Sequence, residues 1–264
     1  MIDLHNHILP GLDDGADSWP KSIAMARMAC EDGITDIVCT PHWVPGKYNN
    51  QREQILAATD AFKKHLAHEK IPLNIYPGAE LRLDVALPEK IASGELMTMN
   101  DTGVYALIEL PEESLPDSLE DFLWHLALKN IKPIISHVER HPLLHKNPQR
   151  LLRWVEMGVL TQITAASVQE KFSAEIRDFS LMLLEHRLVH ILVTDSHGLH
   201  LRAPKLQAGF DIVKNIVGEE SARRMVYDLP KDIIDGREVF TDDPLPFKKK
   251  KWFDFSFSSF LKEK

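Results

Sequence analysis

Two histidines one residue apart lie near the start of the chain, in the stretch Asp3-Leu4-His5-Asn6-His7. Alternate residues of an extended segment point to the same side, so both imidazoles can reach one metal ion while Asn6 faces away. By the same period Asp3 is expected to orient a histidine rather than to bind metal. A single pair of this kind occurs often by chance, and it indicates a metal site only where further ligands follow.

Further histidines and carboxylates do follow, mostly where an apolar run gives way to a polar loop. The candidate ligands are His5, His7, Asp14, His42, Glu80, Glu109, His137, Asp195 and His197. Each alone also fits an ordinary role, as a helix cap, a hydrogen-bonded core histidine or a solvated carboxylate. Together they would be very costly to bury without cations, and three divalent ions would complement them.

Other candidates give weaker signals. Arg140 and Arg202 each follow a candidate ligand closely, and a guanidinium suits bidentate contact with phosphate oxygens, although a surface salt bridge is the plain alternative. The run from His137 to His141 is not the helical H-E-x-x-H motif of zinc proteases. Its glutamate stands one position later than in that motif, and the segment follows a predicted strand. Five of the other histidines are interpreted as structural or solvated; these are His65, His68, His186, His190 and His200.

The elements that must position these residues alternate between short strands and helices. About seven apolar strand segments are separated by helical patterns, including 50–68, 119–127, 147–157 and 203–216. Parallel βα units of this kind close into a barrel whose strand ends converge on one rim. The sequence therefore predicts an α/β fold with a single barrel domain.

Composition narrows the class of protein. The 264 residues carry a formal charge of −8, which argues against a general nucleic-acid binder. The two cysteines, Cys30 and Cys39, cannot build a disulfide framework, and a reducing cytoplasm is the natural compartment. With no basic leader and no apolar run of 18 residues, the chain is expected to be cytoplasmic.

These motifs resemble the polymerase and histidinol phosphatase (PHP) superfamily. They are D-L-H-N-H at 3–7, T-P-H at 40–42, G-A-E at 78–80, S-H at 136–137 and D-S-H at 195–197. Within it, the chain is similar to the manganese-dependent bacterial protein tyrosine phosphatases of capsule and exopolysaccharide gene clusters. That similarity is carried by H-I-L-P-G-L-D-D-G at 7–15, I-E-L-P at 108–111, S-H-V-E-R at 136–140 and Arg202. Val138 stands where family members often have proline.

The resemblance implies a distorted (β/α)7-type barrel over residues 1–240, with three divalent ions. Manganese is expected, although nitrogen and oxygen ligands suit iron and zinc equally. His5, His7, Glu80 and Asp195 would hold the first ion; Glu80, Glu109 and His137 the second; Asp14, His42 and His197 the third. Arg140 and Arg202 would bind the phosphoryl oxygens.

The implied reaction is in-line attack by a metal-activated hydroxide on phosphotyrosine, without a phosphoenzyme. Neither cysteine begins a C-x5-R motif, since Asp36 and Pro45 stand at the arginine positions, so the thiol mechanism is excluded. The implied substrate is an autophosphorylating tyrosine kinase that controls capsular or exopolysaccharide synthesis and export. Hydrolysis of a small phosphomonoester such as histidinol phosphate, or of a phosphodiester, is the alternative. A third hypothesis is a metal-binding module that has no catalytic turnover.

Residues 241–264 form a basic and aromatic tail, unlike the acidic body. Residues 248–251 are four lysines, and Trp252 and several phenylalanines follow them. One hypothesis is docking to the inner membrane surface or to a membrane-bound kinase partner. The alternative is a disordered tail or one packed on another subunit, and the oligomeric state stays open.

Overall fold

Short strands and helices alternate along most of the chain in the computed structural model, which describes residues 1–247. The strands are β1 (Ile2–Asn6), β2 (Asp36–Cys39), β3 (His42–Val44), β4 (Tyr48–Asn49), β5 (Asn74–Pro77), β6 (Glu80–Arg82), β7 (Tyr105–Glu109), β8 (Lys132–Ile135), β9 (Leu160–Thr164) and β10 (Ile191–Val193).

The helices surround these strands, and Pro20, Pro88, Pro142 and Pro148 lie in the first turns of four of them, where proline lacks no needed hydrogen bond. They are α1 (Trp19–Glu31), α2 (Arg52–His68), α3 (Leu87–Ala92), α4 (Leu119–Leu128), α5 (Pro142–Lys146), α6 (Pro148–Glu156), α7 (Ala165–Val168), α8 (Ala174–Glu185), α9 (Gln207–Val217), α10 (Glu219–Arg223) and α11 (Leu229–Ile234). Short 3₁₀ turns lie at Met99–Asp101 and Val138–Arg140, and a π-helical turn covers Arg224–Asp228.

The strands pair into two sheets. One is three-stranded, in the order β1-β2-β5, and the other is seven-stranded, in the order β10-β9-β8-β7-β6-β3-β4. Every neighbouring pair is parallel except the β3–β4 hairpin, in which Trp43 faces Asn49. The predicted α/β fold is confirmed, and its strands are mostly parallel with their carboxyl ends on one side.

The two sheets share an apolar interior. Leu4 and Val38 of the smaller sheet lie in one cluster with Leu107 and Ile134 of the larger sheet. In β7, residues alternate between this cluster and a second cluster that the surrounding helices cover. Strands buried on both faces are typical of parallel sheets covered by helices, and they give the strand ends a rigid base.

The first and last strands meet at their carboxyl ends. Asp195 N–H donates to His5 O (2.9 Å), and His7 N–H donates to Ser196 O (3.0 Å). Beside this contact the buried Asp3 carboxylate accepts from Thr194 N–H (3.0 Å) and from the Thr194 hydroxyl (2.5 Å). The prediction that Asp3 orients a histidine ring is wrong, because its carboxylate binds Thr194, the Asn6 amide and the His5 backbone instead.

Several elements differ from the sequence prediction. The structure has ten strands within residues 1–247 rather than about seven, since β3, β4 and β6 are only two or three residues long. His42 follows the apolar run of β2 but begins a separate strand, β3, rather than a loop. The helix expected over 203–216 starts only at Gln207. Strands this short show no clear alternation of apolar and polar residues, so the sequence did not predict the β3–β4 hairpin.

The end of the described chain turns back onto the body. Leu245 N–H donates to His186 O (2.8 Å), and the Phe247 ring lies 4.5 Å from the His186 ring. The lysines and aromatic residues at 248–264 lie outside the described residues, and a domain boundary at residue 240 stays a prediction. No helix within residues 1–247 is both long and apolar enough to cross a membrane.

The contact between the first and last strands yields a stability prediction. Asp3→Ala leaves the Thr194 N–H and hydroxyl without their buried acceptor, and we expect it to lower the free energy of unfolding by about 2–4 kcal/mol. Asp3→Asn keeps one acceptor oxygen and should cost less. Urea unfolding measures both, with Asp60→Ala as the control because the Asp60 side chain is 71% exposed. A loss for Asp3→Ala no larger than that of the control would contradict this role.

Candidate metal centre

All nine predicted ligands converge at the carboxyl ends of the strands. His5 and His7 come from the end of β1, and Asp14 from the loop after it. His42 and Glu80 begin β3 and β6, just after the carboxyl ends of β2 and β5. Glu109 comes from the end of β7, His137 from the turn after β8, and Asp195 and His197 from the loop after β10. Seven of the nine, all except His137 and Asp195, have donor atoms within 4.8 Å of one another in three overlapping groups, each of which could hold a metal ion.

The first group contains His5, His7 and Glu80, all buried. The two histidine Nε2 atoms are 3.1 Å apart, and the Glu80 Oε2 atom lies 3.1 Å from that of His5 and 3.5 Å from that of His7. Asp195 Oδ1 lies 3.3 Å and 3.5 Å from the same two nitrogens. The four residues assigned to the first ion therefore lie together.

The second group contains His42, Glu80 and Glu109. His42 Nδ1 lies 3.0 Å from Glu80 Oε2 and 3.7 Å from Glu109 Oε2. His137 approaches from the other side, with its Nε2 atom 2.9 Å from Glu80 Oε1 and 3.9 Å from Glu109 Oε1. Glu80 thus faces two groups, as a bridging carboxylate would.

The third group contains His7, Asp14, His42 and His197. Asp14 Oδ1 lies 3.5 Å from His42 Nε2 and 3.4 Å from His197 Nε2. The rings of His7 and His197 have centroids only 3.9 Å apart. His42 presents one ring nitrogen to the second group and the other to the third, a sharing that the sequence did not predict.

The polar atoms of these groups fit cations better than they fit one another. Among residues 1–247, His42 Nδ1, Glu80 Oε2 and His197 Nε2 are buried and have no partner in hydrogen-bonding geometry. Glu109 Oε2 and Asp195 Oδ1 also lack a partner in that geometry, although arginine nitrogens of Arg82 and Arg202 lie 2.9 Å and 2.6 Å from them. Buried polar atoms without partners are expensive, and nitrogen and oxygen donors aimed at a common space are what divalent metals bind.

The backbone is held in an unusual conformation at two of these residues. His137 and Asp195 have positive φ angles of 30° and 49°, in the left-handed region that residues with a side chain seldom adopt. Each lies two residues after the end of a strand, β8 or β10, so the left-handed step redirects the chain just beyond the strand end. Such strain persists only where the surroundings fix it, and it is concentrated at functional sites.

Two contacts that orient the histidines were not predicted. The Asp13 carboxylate lies 2.6 Å from His7 Nδ1 and also accepts from the His42 backbone N–H (3.0 Å). Gln162 Oε1 lies 3.1 Å from His5 Nδ1. Each leaves the Nε2 atom of its histidine facing the metal groups. The available signals were an Asp-Asp pair in the first loop and a glutamine inside the apolar β9 run.

Both predicted arginines lie at the centre, where they pair with one carboxylate. Arg202 Nη2 is 2.6 Å from Asp195 Oδ1, and Arg140 Nη2 donates to Asp195 Oδ2. Burial alone would raise the pKa of Asp195, but the charges of Arg140 and His5 hold that pKa well below its ordinary value. The carboxylate therefore stays ionised between the arginines and the histidines.

The pKa values of two other donors are shifted by their surroundings. Burial lowers the pKa of His197 to about 4, so its imidazole is neutral near pH 7, the form that binds a metal. Burial and the negative charge of Glu80 raise the pKa of Glu109. The Glu80 and Glu109 carboxylates repel each other, and a cation bound between them would relieve that repulsion.

Together these features define an α/β protein with a candidate metal centre at the carboxyl ends of its strands. The chain belongs to the capsular polysaccharide synthesis family CpsB/CapC, which residues 1–235 match. The resemblance stated from the sequence motifs is thereby confirmed.

Individual relatives of the chain also support its membership of this family. The chain is 36% identical over 255 residues to tyrosine-protein phosphatase YwqE of Bacillus subtilis (strain 168), covering 97% of this chain and 100% of that protein. It is 31% identical over 239 residues to tyrosine-protein phosphatase CpsB of Streptococcus pneumoniae, covering 89% and 98%.

Solved structures extend the comparison. The chain superposes with a TM-score of 0.90, at 35% identity and over 94% of this chain and 100% of the other, on a structure from the set of YwqE and CpsB described as metal-dependent tyrosine phosphatases. Histidinol phosphate phosphatase from Lactococcus lactis shares the fold alone, with a TM-score of 0.54 at 15% identity over 84% of this chain and 93% of that one.

The contacts of Asp13 predict its effect on metal binding. Asp13→Asn weakens the hydrogen bond that fixes the His7 ring, and we expect Mn²⁺ affinity to fall about 10- to 100-fold, as is usual for such orienting partners. Competition against a chelator measures the affinity. Asp17→Asn in the same loop is the control, since the Asp17 side chain is 76% exposed. Equal affinity for the two variants would refute the orienting role.

Proposed function

We propose that this protein is a metal-dependent protein tyrosine phosphatase. The observation that carries the proposal is the convergence of nine nitrogen and oxygen donors and two arginines at one end of the strands. Membership of the CpsB/CapC family supports it, as do the relatives that carry the name tyrosine-protein phosphatase.

The proposed centre holds three divalent ions, and the ligands are assigned to them by group. His5, His7, Glu80 and Asp195 serve the first ion; Glu80, Glu109 and His137, with His42 beside them, serve the second; Asp14, His42 and His197 serve the third. When bound, such ions activate a water and neutralise phosphoryl oxygens. Four of the nine donors are carboxylates, so three divalent ions would leave the positive charge that a phosphoryl dianion needs. We take the metal to be manganese.

The arginines complete the phosphoryl site. A guanidinium carries five N–H donors, so Arg140 and Arg202 keep donors available after pairing with Asp195. Their side chains are 20% and 30% exposed, which leaves them accessible to a substrate while Asp195 holds them in place. We assign them to the phosphoryl oxygens.

The leaving group and the cysteines are consistent with attack by water. A tyrosine hydroxyl has a pKa of about 10, so it departs with less help from a general acid than an alcohol needs. Cys39 is buried, and burial raises the pKa of its thiol far above neutrality, so it cannot serve as a thiolate nucleophile. Hydrolysis without a phosphoenzyme fits these residues.

The finer features of the proposal concern shape and substrate. We infer that the two sheets act as one distorted barrel, since β1 and β10 contact each other and the sheets share an apolar interior. The family description points to capsular polysaccharide synthesis, and we take the substrate to be a phosphotyrosine-bearing protein, an autophosphorylating tyrosine kinase of that system.

A substrate panel tests the activity. With Mn²⁺ added, we expect turnover of a phosphotyrosine peptide at least tenfold faster than that of histidinol phosphate or a phosphodiester, and loss of turnover on chelation with recovery on adding Mn²⁺ back. Steady-state phosphate release measures each. Activity that survives full chelation would refute the metal mechanism, and preference for histidinol phosphate would favour the small-substrate alternative.

Two substitutions test the assigned roles. His137→Ala removes a donor beside Glu80 and should reduce kcat by at least about 100-fold. Arg202→Ala removes a phosphoryl contact and should chiefly raise KM for the phosphotyrosine peptide. Arg153→Ala, on the last turn of α6, is the control for loss of an arginine. Equal, mild effects of the first two variants would contradict the assignment.

A further inference from the structure

Two aromatic side chains border the metal centre, and neither is a candidate ligand. Tyr48 lies in the β3–β4 hairpin and Phe172 in the loop between α7 and α8. Resting on the proposed phosphatase function, we propose that Tyr48 and Phe172 form the walls of a site for the aromatic ring of the substrate, and so select aryl over alkyl phosphate esters.

Tyr48 is fixed beside a candidate ligand. In the hairpin, Tyr48 pairs with Val44, which lies on the same face of β3 as His42, two residues before it. The rings of Tyr48 and His42 are nearly parallel, at 11°, with centroids 5.8 Å apart. His42 belongs to the second and third donor groups, so one side of the centre is bordered by a flat aromatic surface.

Phe172 lies on the side of the arginines. The Arg140 guanidinium carbon is 5.4 Å from the centre of the Phe172 ring, while the same guanidinium donates to Asp195. Asp195 in turn contacts His5 and His7 of the first group. Phe172 is thus separated from the donor groups only by the residue assigned to the phosphoryl oxygens.

The chemistry of the ester places its ring beside these residues. In phosphotyrosine a single ester oxygen joins the ring to phosphorus, so a phosphoryl group at the centre brings the ring directly to its border. Aromatic rings attract one another through offset or edge-to-face contact in addition to the apolar area they bury. Tyr48 and Phe172 are both partly exposed rather than buried in the core, as a surface for a substrate requires.

Separate measurements of ring binding and phosphate binding test this inference. On the Mn²⁺-loaded full chain, Tyr48→Ala and Phe172→Ala should each raise KM for a phosphotyrosine peptide about 3- to 10-fold. The inhibition constant of inorganic phosphate, which has no ring, should stay within about twofold. Tyr48→Phe and Phe172→Tyr keep the ring and should restore KM.

The controls separate contact with the substrate from indirect effects. Trp124→Ala removes an aromatic side chain that is 60% exposed on α4, and it should change neither constant. Bound manganese, measured by elemental analysis, should be equal in all variants.

Either of two results would overturn the inference while leaving the proposed function intact. One is an unchanged KM in both alanine variants. The other is a parallel rise of KM and of the phosphate inhibition constant, which would mean that the aromatic residues act through His42 or Arg140. If the wild-type chain failed to hydrolyse the phosphotyrosine peptide at all, the proposed function and this inference would both fall.

Discussion

The close approach of buried histidine nitrogens and carboxylate oxygens at the carboxyl ends of the strands is the constraint on which the structure depends. His5 and His7 bring two Nε2 atoms to 3.1 Å, and Glu80 and Asp195 bring carboxylate oxygens to the same nitrogens. Two of these atoms, Glu80 Oε2 and Asp195 Oδ1, have no partner in hydrogen-bonding geometry within residues 1–247. Such an arrangement is costly unless cations occupy the space, so the remainder of the fold must hold the donors in place.

The parallel strands provide that support through burial and through the contact of the chain's first strand with its last. Apolar residues cover both faces of the strands, which leaves their ends little freedom. Asp3, Thr194 and the backbones of His5 and Asp195 join β1 to β10 directly beneath the first donor group. The left-handed conformations of His137 and Asp195 each cost about 1–3 kcal/mol, and packing of this kind is what can sustain them.

The sequence was most informative where one residue type carried one role. Histidines and carboxylates that follow apolar runs were recognisable because parallel strands bring their carboxyl ends together. The sequence was less informative about which donor two metal groups share and about which residues orient the histidine rings. His42 begins a three-residue strand and faces two donor groups, and Asp13 and Gln162 orient histidines across loops and strands. These contacts depend on three-dimensional approach, for which a single sequence has no periodic signal.

The arrangement around Asp195 shows how arginines and metal ions can share a small site. Cations and guanidinium groups repel one another, so two arginines beside several divalent ions would be unfavourable without a negative charge between them. Asp195 supplies that charge, because one of its oxygens faces His5, His7 and Arg202 and the other faces Arg140. Its low pKa keeps the carboxylate ionised. In the proposed phosphatase, a single buried aspartate would therefore hold both kinds of positive charge against one phosphoryl group.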